Sequence, residues 1–407
     1  MNPILEILSQ GEEIVTGQVV DTNAAWLSQE AVDMGFRVAR HISVGDKLDD
    51  LIAVMSDIAA RADCCICTGG LGPTSDDLTA EAVSKAFNRS LVFDETAYEQ
   101  IRRFFEKRQR RMPESNRKQA LLPVEAIRLD NHWGTAPGFA LKHEHCWFWF
   151  VPGVPYEMRQ LFKAHVKPMM QNQFDLQPGK LIILNTVGIG ESDLQDRINA
   201  INLPPEVQLG FRAEIGQVQI KLLFPSTIPQ SQMEEITDLI TTTLGDFVYS
   251  IDGLDNRSSG DLVAVVDRLM KTTGKTIAIV ETASHGMLTA KIRTANWLTS
   301  TFIYPSITSI AKVYQVENQA DDVLETSKAI GAAIQKTTDS DCLLIQLIDE
   351  NQHSETSVTI VNTLLERGEI TQSTHLVSGD DNRKQQMAAL LTLDFLRRYL
   401  LRANSIR

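Results

Sequence analysis

Two adjacent carboxylates, Asp76 and Asp77, follow a glycine-rich turn. The full stretch reads Thr68-Gly69-Gly70-Leu71-Gly72-Pro73-Thr74-Ser75-Asp76-Asp77-Leu78-Thr79. Glycines let a backbone approach a ligand closely, and free N–H groups at a helix start attract anions. Carboxylates beside a bound phosphate favour a divalent cation between them, because Mg²⁺ and Mn²⁺ prefer hard oxygen ligands. These residue types therefore indicate a phosphate site bridged by a metal ion.

The same turn also has a purely structural explanation. The spacing Thr74-x-x-Asp77 is that of a capping box, and glycines after a strand are common in tight turns. The stretch is neither the dinucleotide pattern G-x-G-x-x-G nor a phosphate loop ending in Gly-Lys-Ser/Thr. Three glycines and two aspartates in one short turn favour the functional interpretation.

The flanking segments predict how this turn is held. An apolar run, residues 64–67, precedes the turn, and a helical pattern, residues 80–87, follows it. Earlier in the chain, strands are predicted at residues 4–9 and 36–44, and helices at 24–34 and 48–62. This β-α-β-α-β order predicts a mostly parallel sheet with helices on both faces, which binds ligands at the carboxyl ends of its strands.

Three further polar residues fall after predicted strands or at predicted helix starts: Glu13, Asn23 and Asp46. The topology would collect them on one rim with Asp76 and Asp77. Each position has a capping alternative, since acidic and amide side chains near a helix start are common for that reason alone. Their convergence on one sheet edge favours a shared binding site.

A basic region follows the turn in sequence. The predicted helix over residues 98–112 is rich in Arg and Lys, which is typical of a solvated helix face. Asn116 and Lys118 lie beyond that helix, where we expect them to contact phosphate. Gly153, in Val151-Pro152-Gly153-Val154-Pro155, could add backbone donors to the rim or serve turn geometry alone.

Composition narrows the function classes. The 407 residues include 39 Lys+Arg and 52 Asp+Glu, a net charge of −13, which argues against binding to nucleic acid or a membrane surface. The N-terminus lacks a basic lead and no apolar run approaches the roughly 18 residues of a membrane span, so we expect a cytoplasmic protein. Three of the five cysteines, Cys64, Cys65 and Cys67, fit a buried strand better than a metal cluster.

Three domains are predicted. Residues 1–173 hold the glycine turn, residues 178–251 form a small α+β module, and residues 258–407 form a last α/β segment. The middle module has the element order of a KH domain, with the turn Gly188-Ile189-Gly190-Glu191. That turn carries an acid rather than a base, so RNA binding is not expected.

The motifs together resemble the CinA family. They are Gly11-Glu12-Glu13, Asp21-Thr22-Asn23, the stretch 68–79 and the Pro-Gly turn at 151–155, and the resemblance covers nearly the whole chain. It implies an N-terminal three-layer domain of the MoaB/Mog molybdopterin-binding type, a KH-like module and a C-terminal α/β domain. In the family the first domain is associated with metal-dependent hydrolysis of ADP-ribose to AMP and ribose 5-phosphate. The last domain is associated with deamidation of nicotinamide mononucleotide.

The intact N-terminal motifs imply a pyrophosphohydrolase acting on ADP-ribose or a related nucleotide diphosphate. The resemblance also implies a divalent metal (Mg, Mn or Co), a monovalent cation as a further cofactor, and a homodimer. The expected metal ligands and catalytic acids are Asp46, Asp76 and Asp77, with Lys118 offsetting charge on the leaving phosphate. The expected substrate contacts are Glu13, Asn23, Gly69, Gly70, Gly72, Thr74, Asn116 and Gly153.

The C-terminal motif has diverged. The family sequence Glu-Ser-Cys-Thr-Gly-Gly stands here as Glu281-Thr282-Ala283-Ser284-His285-Gly286, and the downstream motifs are not recognisable at residues 304–312 and 346–351. Loss of a nucleophile, its base and its backbone cradle predicts an inactive deamidase domain. Two alternatives stay open: a non-catalytic binder of molybdopterin or nucleotide with a regulatory role, and a residual deamidase.

Overall fold

The chain folds into two compact units, Met1–Gly179 and Lys180–Arg407. The computed structural model describes residues 2–255, 257–316, 322–349 and 356–405, and all counts of elements below refer to these. The two predicted segments, 178–251 and 258–407, fall within the second unit except for residues 178 and 179. The division of that unit into a KH-like module and a last domain therefore stays a prediction.

A mixed sheet forms the centre of the first unit. Its strand order is β2-β1-β3-β8-β7-β6; the first four strands are parallel, and β7 runs antiparallel to both of its neighbours, β8 and β6. A separate two-stranded sheet pairs β4 with β5. The strands are β1 (Ile4–Gln10), β2 (Arg37–Val44), β3 (Cys64–Thr68), β4 (Leu91–Phe93), β5 (Leu121–Pro123), β6 (Ile127–Leu129), β7 (Gly138–His143) and β8 (Cys146–Val151).

Helices cover both faces of this sheet, as predicted. They are α1 (Glu12–Val15), α2 (Thr22–Met34), α3 (Leu48–Arg61), α4 (Thr79–Ala86), α5 (Glu95–Lys107), α6 (Pro155–Leu161) and α7 (Lys167–Gln173), with a 3₁₀ helix at Glu114–Ala120 and a π-helical turn at Phe162–Val166. Successive side chains of β3 enter opposite cores. Cys64 and Ile66 pack with α2 and α6, whereas Cys65 and Cys67 pack with α3 and α4. The central strand is therefore buried on both faces.

The predicted basic helix over residues 98–112 is wrong at both ends. α5 begins at Glu95 because the side chain of Asp94 caps it, accepting a hydrogen bond from the Ala97 N–H at 2.8 Å. It ends at Lys107, and Gln109 then takes a left-handed backbone with φ 53°. A polar side chain at a helix start and a left-handed residue after it are ordinary helix ends.

The second unit contains two sheets. Strands β9 (Lys180–Val187), β10 (Gln208–Glu214), β11 (Gln217–Phe224) and β12 (Val248–Asp252) form the first, in the order β10-β11-β9-β12. Strands β13 (Ile277–Glu281), β14 (Leu298–Ile303), β15 (Cys342–Asp349), β16 (Ser357–Glu366) and β17 (Glu369–Ser378) form the second, in the order β14-β13-β15-β16-β17. β17 is thus an edge strand.

Seven helices pack on these two sheets. They are α8 (Glu191–Asn199), α9 (Gln230–Leu244), α10 (Leu262–Thr273), α11 (Met287–Ile292), α12 (Ile307–Tyr314), α13 (Val323–Gln335) and α14 (Asp381–Ser405), with a 3₁₀ turn at Gly245–Phe247. Among the described residues no helix is both long and apolar enough to cross a membrane. Glu350 and Asn351, the last two residues of the segment 346–351 in which the family motif is not recognisable, lie outside the described residues.

Candidate functional site

The glycine turn connects β3 to α4, as the sequence predicts. Gly69 and Gly70 both have left-handed backbones, with φ 103° and 64°. The Thr79 hydroxyl oxygen lies 3.0 Å from the Gly69 carbonyl oxygen, and the Thr79 N–H donates to the Gly70 carbonyl at 3.2 Å. A Cβ added at Gly69 would lie 2.3 Å from the Gln10 carbonyl oxygen, so only glycine fits there.

A cavity of about 530 Å³ opens where β1, β2, β3 and β8 end. That volume is in the range of small-molecule sites. Nine of the predicted site residues line it: Glu13, Asn23, Asp46, Gly69, Gly70, Gly72, Asp76, Asp77 and Gly153. The structure therefore brings together side chains from four separate turns, although their roles stay predictions.

Asp46 is held firmly on this cavity. Its Oδ1 accepts a hydrogen bond from Gln10 Nε2 at 2.9 Å, and its Oδ2 accepts one from the Glu12 N–H at 3.0 Å. Gln10 is held in turn by the Thr79 hydroxyl, which donates to Gln10 Oε1. Each carboxylate oxygen keeps a second lone pair, which a cation could use.

Asp77 and Asp76 have different environments. Asp77 Oδ2 accepts hydrogen bonds from the Thr74 N–H at 2.8 Å and the Thr74 hydroxyl at 2.5 Å, so the capping-box spacing does form a local contact. The Thr74 hydroxyl also lowers the pKa of the exposed Asp76, and Lys118 contributes in the same direction. Asp76 is therefore ionised at neutral pH.

The remaining predicted residues, Thr74, Asn116 and Lys118, do not line this cavity. Lys118 Nζ donates to the Thr74 carbonyl at 2.7 Å, and both line a neighbouring cavity of about 560 Å³. Asn116 is buried, and its amide donates to Gln119 Oε1 at 2.8 Å. Gln119 in turn donates to the Leu71 carbonyl at 3.1 Å, so Asn116 supports the glycine turn from behind.

Asn23 links the two loops on either side of the cavity. Its Nδ2 donates to the Gly153 carbonyl at 2.7 Å and to the Thr68 hydroxyl at 3.3 Å. Its Oδ1 is buried and accepts no hydrogen bond from the described residues. Buried polar atoms normally have partners, so this oxygen marks a place where a ligand or water would be stabilised.

We expect Asn23→Ala to lower the free energy of unfolding by about 1–3 kcal/mol, because the buried Thr68 hydroxyl and the Gly153 carbonyl both lose the donor that Asn23 provides. Urea titration of both proteins measures the difference. Asn172→Ala, on the exposed surface of α7, is the matched control and should change stability by less than about 0.5 kcal/mol. Equal stabilities of the two variants would contradict a bridging role for Asn23.

Gln10 and Glu157 are among the lining residues that were not predicted from the sequence. Gln10, the last residue of β1, orients Asp46. Glu157, in the first turn of α6, accepts a hydrogen bond from Asn131 Nδ2 at 2.8 Å. The position of Glu157 directly after the turn 151–155 was an available signal, because acids at a helix start after a sheet-edge turn face the rim.

The charged side chains that line the cavity are acidic. Five lining residues carry carboxylates, Glu13, Asp46, Asp76, Asp77 and Glu157, and none of the described lining residues is Lys, Arg or His. Among the described residues no three His, Cys, Asp or Glu side chains lie close enough to form a metal site by themselves. Hard oxygen donors of this kind fit Mg²⁺, which commonly uses one or two carboxylates together with water and substrate phosphates.

The hydroxyl side chains of the diverged C-terminal motif are buried. Thr282 and Ser284 are fully buried. The Thr282 hydroxyl donates to the Gln346 carbonyl at 3.3 Å and accepts from the Ile348 N–H at 3.2 Å. The Ser284 hydroxyl donates to the carboxylate of Glu281, and the Ser284 N–H donates to Gln346 Oε1 at 2.9 Å. The hydroxyl of Thr282, which stands at the serine position of the family motif, is therefore occupied by structural hydrogen bonds.

Comparison with known proteins agrees with these features. The family described as "Probable molybdopterin binding domain" matches residues 6–172. A CinA-like protein of Shewanella sp. strain ANA-3 is 36% identical over 71% of this chain and 67% of its own length. A protein of Shewanella oneidensis named nicotinamide-nucleotide amidohydrolase PncC has the same identity and coverage. A CinA-like protein of Shewanella frigidimarina is 31% identical over 98% of this chain and 96% of its own.

The α/β architecture with a molybdopterin-binding-like first domain is thus confirmed. The chain belongs to the CinA-like family, as its motifs predicted.

Proposed function

We propose that the first unit is a divalent-metal pyrophosphohydrolase that cleaves ADP-ribose or a related nucleotide diphosphate to AMP and a sugar phosphate. The observation that carries this proposal is a cavity lined by five carboxylates with no cationic side chain among its described lining residues. Such a wall repels a diphosphate unless a cation lies between them. The glycine turn beside it offers backbone close approach to phosphate oxygens.

A divalent cation in this cavity would offset the charge of the diphosphate and lower the pKa of a bound water. Asp46 and Asp76 are the residues that would hold it, because Asp46 is oriented by two donors and Asp76 is exposed on the same cavity. Glu13 and Asn23 would position the attacking water or the ribose. The water oxygen bonds to phosphorus, the bridging P–O bond breaks, and the water proton passes to a lining carboxylate.

The test is hydrolysis of ADP-ribose by the full chain with Mg²⁺, Mn²⁺ or Co²⁺, with AMP measured by chromatography and EDTA as the blank. We expect AMP only in the presence of metal. Absence of AMP with all three metals, together with Asp76→Ala binding ADP-ribose as tightly as the parent, would refute the proposal.

A second function, binding of a molybdopterin or nucleotide without turnover, is favoured by the matched family description. Among the described residues, no three His, Cys, Asp or Glu side chains are close enough to hold a metal ion by themselves, which also fits such a binder. It predicts equal thermal stabilisation by a pterin and by ADP-ribose, with no product. Differential scanning fluorimetry and the AMP assay on one protein preparation separate the two functions, because only hydrolysis consumes ADP-ribose.

We also propose that the last segment does not deamidate nicotinamide mononucleotide, although one relative is named as an amidohydrolase. The buried, hydrogen-bonded Thr282 cannot reach a substrate. We expect ammonia release at the level of buffer, and Thr282→Ala should leave that level unchanged. Ammonia above background that disappears in Thr282→Ala would contradict this prediction.

A further inference from the structure

The second unit contains a cavity of about 540 Å³ that is remote in sequence from the diverged motif at residues 281–286. One wall is the face of β17 that carries Thr371, Ser373 and His375. The opposite wall is the C-terminal half of α14, and Phe247 closes one end. The volume suits a small-molecule ligand, for which sites of about 300–1,000 Å³ are usual.

The β17 wall is not built like a packed core. Residues two apart share one face of a strand, so Thr371, Ser373 and His375 point the same way. Their partners on β16 are Leu364, Asn362 and Ile360, all buried. The side chains of β16 are thus packed under α14, whereas those of β17 on the same face are polar and line the cavity.

Three aromatic side chains border this space, although Phe395 is largely buried in the core. Phe395, Tyr399 and Phe247 all line it. The guanidinium groups of Arg197 and Arg398 lie 5.2 and 5.3 Å from the centre of the Phe247 ring. Rings and guanidinium planes of this kind stack against planar heteroaromatic groups.

Among the described residues that line the cavity, one cationic side chain is available to a ligand. Asp394 lines the cavity, but its oxygens accept from Arg397 Nε and Arg398 Nε, each at 2.7 Å. Arg402, one helical turn beyond Arg398, is exposed and has no carboxylate partner among the described residues. Glu369 is the other lining acid, at the start of β17. Burial lowers the pKa of His375; the negative charge of Asp394 raises this pKa, and the positive charge of Arg398 lowers it. The imidazole that faces the cavity is therefore neutral.

We propose that this cavity binds a compact heteroaromatic monophosphate of the nucleoside monophosphate class. Its ring would lie among Phe247, Phe395 and Tyr399, and its phosphate would meet the bidentate donors of Arg402. The hydroxyls of Thr371 and Ser373 would hydrogen-bond its sugar. This site does not depend on the hydrolysis proposed for the first unit.

Calorimetric titration of the full chain in EDTA with AMP, adenosine and ribose 5-phosphate tests the site. Without a cation the carboxylate cavity of the first unit repels phosphate. We expect AMP to bind more tightly than either fragment. Arg402→Ala should weaken AMP binding by about 10-fold while leaving adenosine unchanged, and Ser373→Trp should remove binding of both by filling the cavity.

Arg383→Ala, an exposed arginine in the first turns of the same helix, is the matched control and should bind AMP as the parent does. Unchanged AMP affinity in both Arg402→Ala and Ser373→Trp would overturn the proposal. So would AMP binding that is lost in Asp46→Asn but kept in Ser373→Trp, because AMP would then occupy the first unit. A dimer in sedimentation that Ser373→Trp dissociates, with no AMP binding, would reassign this surface to a second copy of the chain.

Discussion

Asp46→Asn is expected to lower the rate of ADP-ribose hydrolysis at saturating metal by at least about 100-fold, since a loss of a few kcal/mol of charge stabilisation has that effect. The substitution keeps the size and shape of the side chain. It removes the negative charge and turns an N–H₂ group toward Gln10 Nε2 or the Glu12 N–H, both of which are donors. The metal concentration for half-maximal rate should rise as well.

Asp50→Asn is the matched control, because Asp50 is exposed in the first turn of α3. Its rate and metal dependence should match those of the parent. If Asp46→Asn retained parental activity with the same metal dependence, the carboxylate cavity would not be the site of hydrolysis. Measuring kcat and KM separately shows whether chemistry or substrate binding carries the loss.

Gly69→Ala is expected to lower the free energy of unfolding by about 2–5 kcal/mol, since strain in a left-handed residue adds to a steric clash. The added methyl would lie 2.3 Å from the Gln10 carbonyl oxygen, a backbone atom that cannot rotate away. Gln10 also orients Asp46, so hydrolysis should fall together with stability. Urea unfolding and the AMP assay measure the two effects.

Gly17→Ala isolates the contribution of the clash. Gly17 also has a left-handed backbone, with φ 74°, but a Cβ there would meet nothing within 4 Å. Gly17→Ala should lower the free energy of unfolding only by the strain of the left-handed backbone, about 1–2 kcal/mol. A Gly69→Ala protein no less stable than Gly17→Ala would show that the turn can shift away from β1, and that its close approach to Gln10 is dispensable.

The sequence predicted the parts of this site that depend on local order. The apolar run before Gly69 and the helix after it became β3 and α4, and the parallel topology placed Asp46 on the same cavity. Gly35 ended α2 with φ 100°, as a glycine after a helix should. These features follow from periodicity and from turn chemistry, which neighbouring residues determine.

The parts that were missed depend on contacts between distant segments. Glu157 reaches the cavity because β8 pairs with β3, and Gln10 reaches Asp46 because β1 lies between β2 and β3. The bond from the Lys118 ammonium group to the Thr74 carbonyl was likewise not foreseen, while the expected contact of Lys118 with phosphate stays a prediction. A backbone acceptor competes for a lysine as well as a ligand does, and sequence spacing does not reveal which is nearer.

The burial of the cysteines makes the two units separately observable. All five thiols are buried, and burial raises the pKa of Cys64 and Cys65 well above the usual range. Alkylating reagents attack thiolates, so these groups react only when the surrounding core opens. Four of the thiols lie in Met1–Gly179, whereas Cys342 alone lies in Lys180–Arg407. Mapping the alkylated peptides during denaturation would therefore show which half of the molecule loosens first.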